Sequence, residues 1–349
     1  MSKFFLFEFA TGGGLLAAGA EVAESIAVEG AAMLGALAQD FSRLDGSQVR
    51  MVRDHRCRLP IPDGVESTTV RDRTDFRQTF SDLANWADAS IVIAPEFDGW
   101  LERSAESVVS AGGMLLGPSP PIISLTADKH RTAEHLRAAG VPVPDGCLLR
   151  PGAPLPEYDS YPAVLKLVDG AGSADMIYLP GRSADWPRGG DRTYRLERYC
   201  AGIPASVSFL TGPAGLFPLA PCRQHLSAGD RFAYRGGSLP LDVPLAERAI
   251  RLASRALETL DRPRGYLGVD LVLGDATNGS EDVVIEINPR LTTSYVGLRA
   301  ATTGNLAGAM CAAADGYEFT VSFDRLPVEF LSDGTVTRST ETGRSSATS

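Results

Sequence analysis

The sequence predicts a mixed α/β protein with a parallel, helix-covered sheet at its N-terminal end and sheet-rich domains after it. Strand and helix patterns alternate through the first 118 residues, and Gly-rich turns separate apolar strands in the middle. Two strands around a turn, GVDLVLG and VVIEINPRL, close the patterned region. Alternation of the first kind implies parallel strands joined by helical crossovers.

The chain opens on the apolar strand KFFLFEF, followed by a Gly-rich turn from Thr11 to Gly14. Apolar residues at helical spacing then predict a helix from about Glu21 to Phe41. A buried strand is expected from Ser90 to Ala94, then a helix in GWLERSAESVVSAGG, then the strand MLLG, which stops at Gly117-Pro118. From Ser124 to Gly140 the pattern is helical, and Gly140 with the prolines after it ends the run. YPAVLKLVDGAGSADMIYL reads as strand, turn and strand, and LAERAIRLASRALETL as a long helix. After about Ser332 the apolar periodicity is lost. The expected division is an N-terminal α/β domain at 1–118, a linker helix with a small subdomain at 119–205, a C-terminal subdomain at 206–331 and a disordered tail at 332–349.

Charge and cysteine usage narrow the function. A formal net charge of -10 disfavours a duplex nucleic acid or an anionic membrane as partner. Cys57, Cys147, Cys200, Cys222 and Cys311 lie far apart without a CxxC pair, which argues against a zinc knuckle or a disulfide framework. With no basic leader before the first apolar stretch, a cytoplasmic protein acting on small molecules is the expectation. Lysine occurs at Lys3, Lys129 and Lys166; the other basic residues are arginine.

The chemistry concentrates in the closing hairpin. If its strands are symmetric about residues 274 and 282, Asp270 lies opposite Glu286. Glu286, Asn288 and Arg290 then share a face with Asp270, because alternate residues of a strand point the same way. Three oxygen donors on one face suit Mg²⁺ completed by phosphate oxygens, and a guanidinium beside them suits a phosphoryl group. The competing reading is an ordinary half-exposed hairpin. Lys166 interrupts an apolar strand, where a buried cation needs a partner that a phosphate could supply. The backbone of Gly170 to Ser173 could lie over phosphates, although a lone GAG more often marks a plain hairpin. Lys129 taken alone is as well read as a solvated helix residue.

LTADKHRTAEHLRAAGVPVP, PAVLKLVDGAGS, LERYCAGIPASVSF, GVDLVL and IEINPR, in that order, resemble the landmarks of the ATP-grasp superfamily. The resemblance implies an ATP-grasp fold with an N-terminal parallel α/β pre-ATP-grasp domain, a small central domain and a C-terminal metal-binding domain. It implies ATP held by Lys129, Lys166, Gly170, Gly172 and Ser173, and by the hinge Glu197, Arg198, Tyr199 and Cys200. It implies two Mg²⁺ ions, or Mn²⁺ in their place, on Asp270, Glu286 and Asn288, with Arg290 and Lys166 steadying the transferred phosphoryl group. The implied reaction is ADP-forming amide synthesis from a carboxylate and an amine through an acyl-phosphate. The short GAGS loop departs from the longer one of many members. LFEFATGGG, CRQHLSAGDRFAYRGGSLPL and NPRLTTSYVGLR further resemble the tyramine–L-glutamate ligase branch, which serves methanofuran-type cofactor assembly. That narrower resemblance implies a substrate side formed by Gln224, Arg235, Gly236, Gly237, Thr292 and Tyr295, with Phe232 or Tyr295 against an aromatic ring. A ligase for another amino-acid or peptide pair and a nucleotide-binding regulatory module are the rivals, and a homodimer is left open.

Overall fold

The computed structural model describes residues 2–21, 24–155, 161–170, 176–182, 191–227, 229, 232–339 and 345–348, the side chains of 25 and 345–348 excepted. Gly172 and Ser173 lie outside the described residues.

The first part carries β1 (Ser2–Glu8), α1 (Gly14–Ala18), α2 (Glu24–Ser42), β2 (Ser47–Asp54), β3 (Val65–Val70), α3 (Arg73–Trp86), β4 (Ala89–Ile93), α4 (Trp100–Ser110) and β5 (Met114–Leu115). Its five strands are parallel in the order β3-β2-β1-β4-β5. Period-2 alternation in β1 sends Phe5 and Phe7 to one face, where they meet Phe76, Phe80 and Val108 of the covering helices. Phe4 and Leu6 go to the other face, against Leu34, Leu37 and Phe41 of α2. The strand order reverses between β1 and β4, so a crevice opens beyond their carboxyl ends, the usual ligand position of such a sheet. Glu8 and Glu96 stand at that crevice.

Two helices follow, α5 (Pro120–Thr126) and α6 (Lys129–Ala138), where the sequence predicts one continuous helix from Ser124 to Gly140. Asp128 breaks the run. Its carboxylate accepts from the His130 and Arg131 amides, both at 2.9 Å, and starts α6 at Lys129. The small sheet contains β6 (Gly146–Leu149), β7 (Ala163–Leu167), β8 (Ile177–Leu179) and β9 (Tyr194–Arg198), in the order β6-β9-β7-β8. Its core is slight, built on Leu149, Leu155, Ala163, Leu165, Leu179 and Leu196.

The remaining elements are β10 (Ile203–Gly212), β11 (Gly215–Pro218), β12 (Cys222–Leu226), β13 (Tyr234–Leu239), α7 (Val243–Leu257), β14 (Gly265–Leu273), β15 (Val283–Asn288), α8 (Ser294–Ala301), α9 (Leu306–Asp315), β16 (Val328–Leu331), β17 (Val336–Ser339) and β18 (Ser345–Thr348). They form an antiparallel sheet in the order β15-β14-β10-β12-β13-β16-β17-β18, with β11 on β10. One face packs on α7 through Val207, Phe209, Ala253 and Leu257. The other shares a core with the N-terminal sheet, which joins Leu210, Tyr266, Met310 and Phe330 to Phe4 and Leu37.

Within the segment expected to be a disordered tail from 332, residues 336–339 and 345–348 form β17 and β18 of this sheet, while 340–344 and 349 lie outside the described residues. Four-residue strands such as VTRS are too short to show a period, yet Val336 is buried in the large core. Among the described residues no helix is long and apolar enough to cross a membrane.

Candidate active site

The β14–β15 hairpin has the register that symmetry about residues 274 and 282 predicts near its base, with Gly268 opposite Asn288 and Asp270 opposite Glu286. A bulge then shifts the pairing to Leu271 opposite Val284 and leaves Ile285 unpaired. The freed Ile285 carbonyl lies 3.5 Å from Lys166 Nζ. Irregularity in one strand thus aims a carbonyl across the cleft at a lysine of another sheet.

Each lysine that interrupts the pattern has a carboxylate partner. Lys129 Nζ is 2.6 Å from Glu286 and donates at 2.8 Å to the Gly170 carbonyl. Lys166, 2% exposed on β7, lies 2.6 Å from Glu197. A phosphate is therefore not needed to neutralise Lys166 at rest. Arg195 is wholly buried on the same strand as Glu197; it donates to Glu197 at 2.8 Å and to the Pro144 carbonyl at 2.9 Å, and lies 2.8 Å from His130 Nδ1. The Glu197 carboxylate is thus held by two cations, while Glu197 to Cys200 line the cleft.

Asp270 accepts from Gln224 at 2.9 Å and from Asn288 at 3.1 Å. Burial and the facing Glu286 push the Asp270 carboxyl up to about 7. Burial also opposes ionisation of Glu286, but Lys129 and Lys166 bring it down to about 2. Two buried carboxylates repelling one another beside an amide form an oxygen-rich set that a divalent cation would relieve, so these residues fit Mg²⁺. The Asn288 amide, 3.1 Å from Asp270, could supply a third oxygen to that set.

Arg290 lies two residues past β15 and reaches the N-terminal crevice. Its Nε donates to Glu96 at 2.9 Å, fixing the guanidinium from the other domain. At the crevice, Glu8 accepts from the Ala10 and Thr11 amides and the Thr11 hydroxyl at 2.6–2.9 Å. Burial pushes its carboxyl up, against those hydrogen bonds. A Cβ on Gly30 would come within 2.4 Å of that carboxyl group, so the glycine lets α2 close on β1. The next residue back, Glu29, thereby reaches the cleft.

The cleft, about 660 Å³, runs from Val164, Lys166 and the hinge past Asp270, Glu286, Asn288 and Arg290 to Gln224, Arg235 and Thr292. Of the expected residues that are described, Gly236, Gly237 and Tyr295 are not brought to it, and Lys129 and Gly170 stand behind its lining, joined to it through the ion pair of Lys129 with Glu286. Gly236 has φ 136°, and a Cβ there would lie 2.0 Å from the Phe330 carbonyl oxygen. A Cβ on Gly237 would strike the Arg223 carbonyl and the Phe330 ring, so both glycines serve the close approach of β13 to its neighbours. Tyr295 has no exposed surface and donates at 2.7 Å to Asp40, itself paired with Arg299. It is a core residue, and helical phase explains why: Thr292 and Thr293 face the cleft, while Tyr295 turns inward on α8. Phe232 stacks on Tyr199 with centroids 5.9 Å apart and planes at 10°, with Tyr178 edge-on to both.

Glu29, Glu96, Arg195 and Tyr234 are missing from the sequence reading. Glu96 follows a central strand, where the reversal of strand order marks a site once the topology is known. Arg195 and Glu29 carry no local signal.

An ATP-grasp domain family matches residues 126–294, and a pre ATP-grasp 3 domain family matches residues 47–123. The chain is 25% identical over 299 residues to a tyramine–L-glutamate ligase of Methanocaldococcus fervens, covering 85% of this chain and 91% of that one. Among solved structures, an ATP-grasp superfamily protein from Archaeoglobus fulgidus matches with TM-score 0.68 and 24% identity, covering 98% of this chain and 94% of that one. Carboxyaminoimidazole ribonucleotide synthase from Aspergillus clavatus, complexed with ATP, matches with TM-score 0.67 and 19% identity over 95% of this chain and 81% of that one.

Proposed function

Since the chain belongs to the ATP-grasp superfamily, we propose that it condenses L-glutamate with tyramine, forming an amide through an acyl-phosphate as a step of methanofuran-type cofactor assembly. The observation that supports ATP-driven chemistry most is the convergence of Lys129, Lys166 and Arg290 on the paired Asp270 and Glu286. The likeness to the M. fervens ligase supports the substrates.

Both lysines rest on carboxylates, so binding MgATP exchanges ion pairs and does not bury a bare charge. Lys129 and Lys166 turn from Glu286 and Glu197 to phosphate oxygens, and Arg195 keeps Glu197 neutralised. Asp270, Glu286 and Asn288 would hold Mg²⁺, which would neutralise charge on the transferring phosphoryl group. A glutamate carboxylate oxygen attacks the γ-phosphorus, the bond to the β-phosphate oxygen breaks, and ADP leaves. Arg290, steadied by Glu96, stabilises the charge on the transferred group. The substrate's ammonium first gives one proton to solvent, and the free amine nitrogen then attacks the acyl carbon; the bond to phosphate breaks, and inorganic phosphate leaves with the electron pair and takes the second proton. Arg235, on the cleft wall, pairs with the second glutamate carboxylate.

ADP release measured with glutamate, tyramine, both or neither tests this reading. Release only with both, together with the amide by mass spectrometry, is expected. Turnover with an unrelated pair and no glutamyl-tyramine would reject these substrates.

A further inference from the structure

The amine's recognition site remains unassigned, and the cleft carboxylates differ sharply in what they hold. Glu197 faces Lys166 and Arg195, Glu286 faces Lys129, and Asp270 accepts from Gln224 and Asn288. Glu29 accepts from the Thr293 hydroxyl, and among the described residues no Lys, Arg or His forms an ion pair with it. The nearby Arg290 is engaged by Glu96. Arg290 acts on Glu29 through space while its guanidinium is paired with Glu96, so among the described residues the one hydrogen-bond donor on the Glu29 carboxylate is a neutral hydroxyl, and an ammonium in the cleft could pair with it directly.

One turn earlier on α2, Ile26 lines the same cleft and is 56% exposed. Leu226 and Tyr234 line the cleft too. Burial pushes the Tyr234 phenol well up, with Cys222, Asp270 and Glu29 adding to it, so the ring stays neutral. The wall is thus one anion set beside apolar and aromatic surface. We propose that Glu29 receives the ammonium of the amine substrate while Ile26, Leu226 and Tyr234 cover its apolar body. The inference rests on the ligase reading, and it specifies the amine as a primary ammonium without a carboxylate. A carboxylate against Glu29 would be repelled, which separates this ligand from the amino-acid donor.

Titration calorimetry of tyramine into the full chain tests the site without turnover. Wild type should bind, Glu29→Gln should weaken binding by about tenfold or more, and 3-(4-hydroxyphenyl)propionate should not bind. Thermal melts report whether Glu29→Gln folds. If it does not, Ile26→Arg decides the matter: it changes an exposed side chain and sets a competing cation beside Glu29, so tyramine binding should again fall by about tenfold. Unchanged tyramine affinity in a folded variant would overturn the inference. So would a loss confined to glutamate, which would place Glu29 on the donor. An absence of wild-type ADP release alongside Glu29-dependent tyramine binding would overturn the ligase reading and leave the ammonium site standing.

Discussion

Lys129 sits on Glu286 at 2.6 Å, so the cation proposed to bind phosphate and the carboxylate proposed to hold metal neutralise one another in the resting cleft. The hairpin also opposes Glu286 to Asp270, and the two relationships act on Glu286 in opposite directions. Attraction to Lys129 and repulsion from Asp270 partly cancel in stability, whereas the proposed reaction needs both carboxylates.

Glu286→Gln should therefore reduce Mg²⁺-dependent ADP release by about 100-fold or more, with a melting temperature within a few degrees of wild type without nucleotide. Asn288→Asp sets a third carboxylate beside Asp270. It should lower the melting temperature without Mg²⁺ and make the stabilisation by Mg²⁺ larger than in wild type. Equal ADP release by wild type and Glu286→Gln would remove the metal assignment.

Lys166→Met removes one of two cations on Glu197. Arg195 remains, so the stability cost should be about 1–3 kcal/mol and below that of a fully orphaned carboxylate. ATP affinity, read by fluorescence displacement, should fall by about tenfold or more. Unaltered affinity with a raised melting temperature would make the lysine purely structural.

Glu96→Gln loosens Arg290 without touching the nucleotide side of the cleft. It should lower kcat by about tenfold while leaving the KM for ATP within about twofold. A rise in that KM with unchanged kcat would place Arg290 on ground-state binding.

Tyr295→Phe should cost about 1 kcal/mol by removing the hydrogen bond to Asp40, which keeps Arg299. Kinetics with either substrate should not change. A raised KM for the amine would restore Tyr295 to the substrate side.

The hairpin geometry was legible because side chains alternate strictly along strands and the turn centre was visible. The Asp270–Glu286 pairing follows from symmetry. The bulge at Ile285 was not legible, since its sequence differs in no local way from a regular strand. The break at Asp128 was written in a capping residue inside a helical pattern, where apolar spacing alone runs through. Long-range partners were out of reach: Glu96 meets Arg290, and Arg195 meets His130, through packing between domains or elements. Tyr295 shows the converse error, in which proximity along the chain to a metal strand stood in for a helical phase that turns the ring into the core.

The acyl-phosphate is the centre of the account, and oxygen transfer tests it most directly. Glutamate labelled with ¹⁸O in its carboxylates, incubated with tyramine, MgATP and the protein, should yield inorganic phosphate carrying one labelled oxygen per amide formed, read by mass spectrometry. Amide formation with unlabelled phosphate, or with the label in AMP, would contradict it.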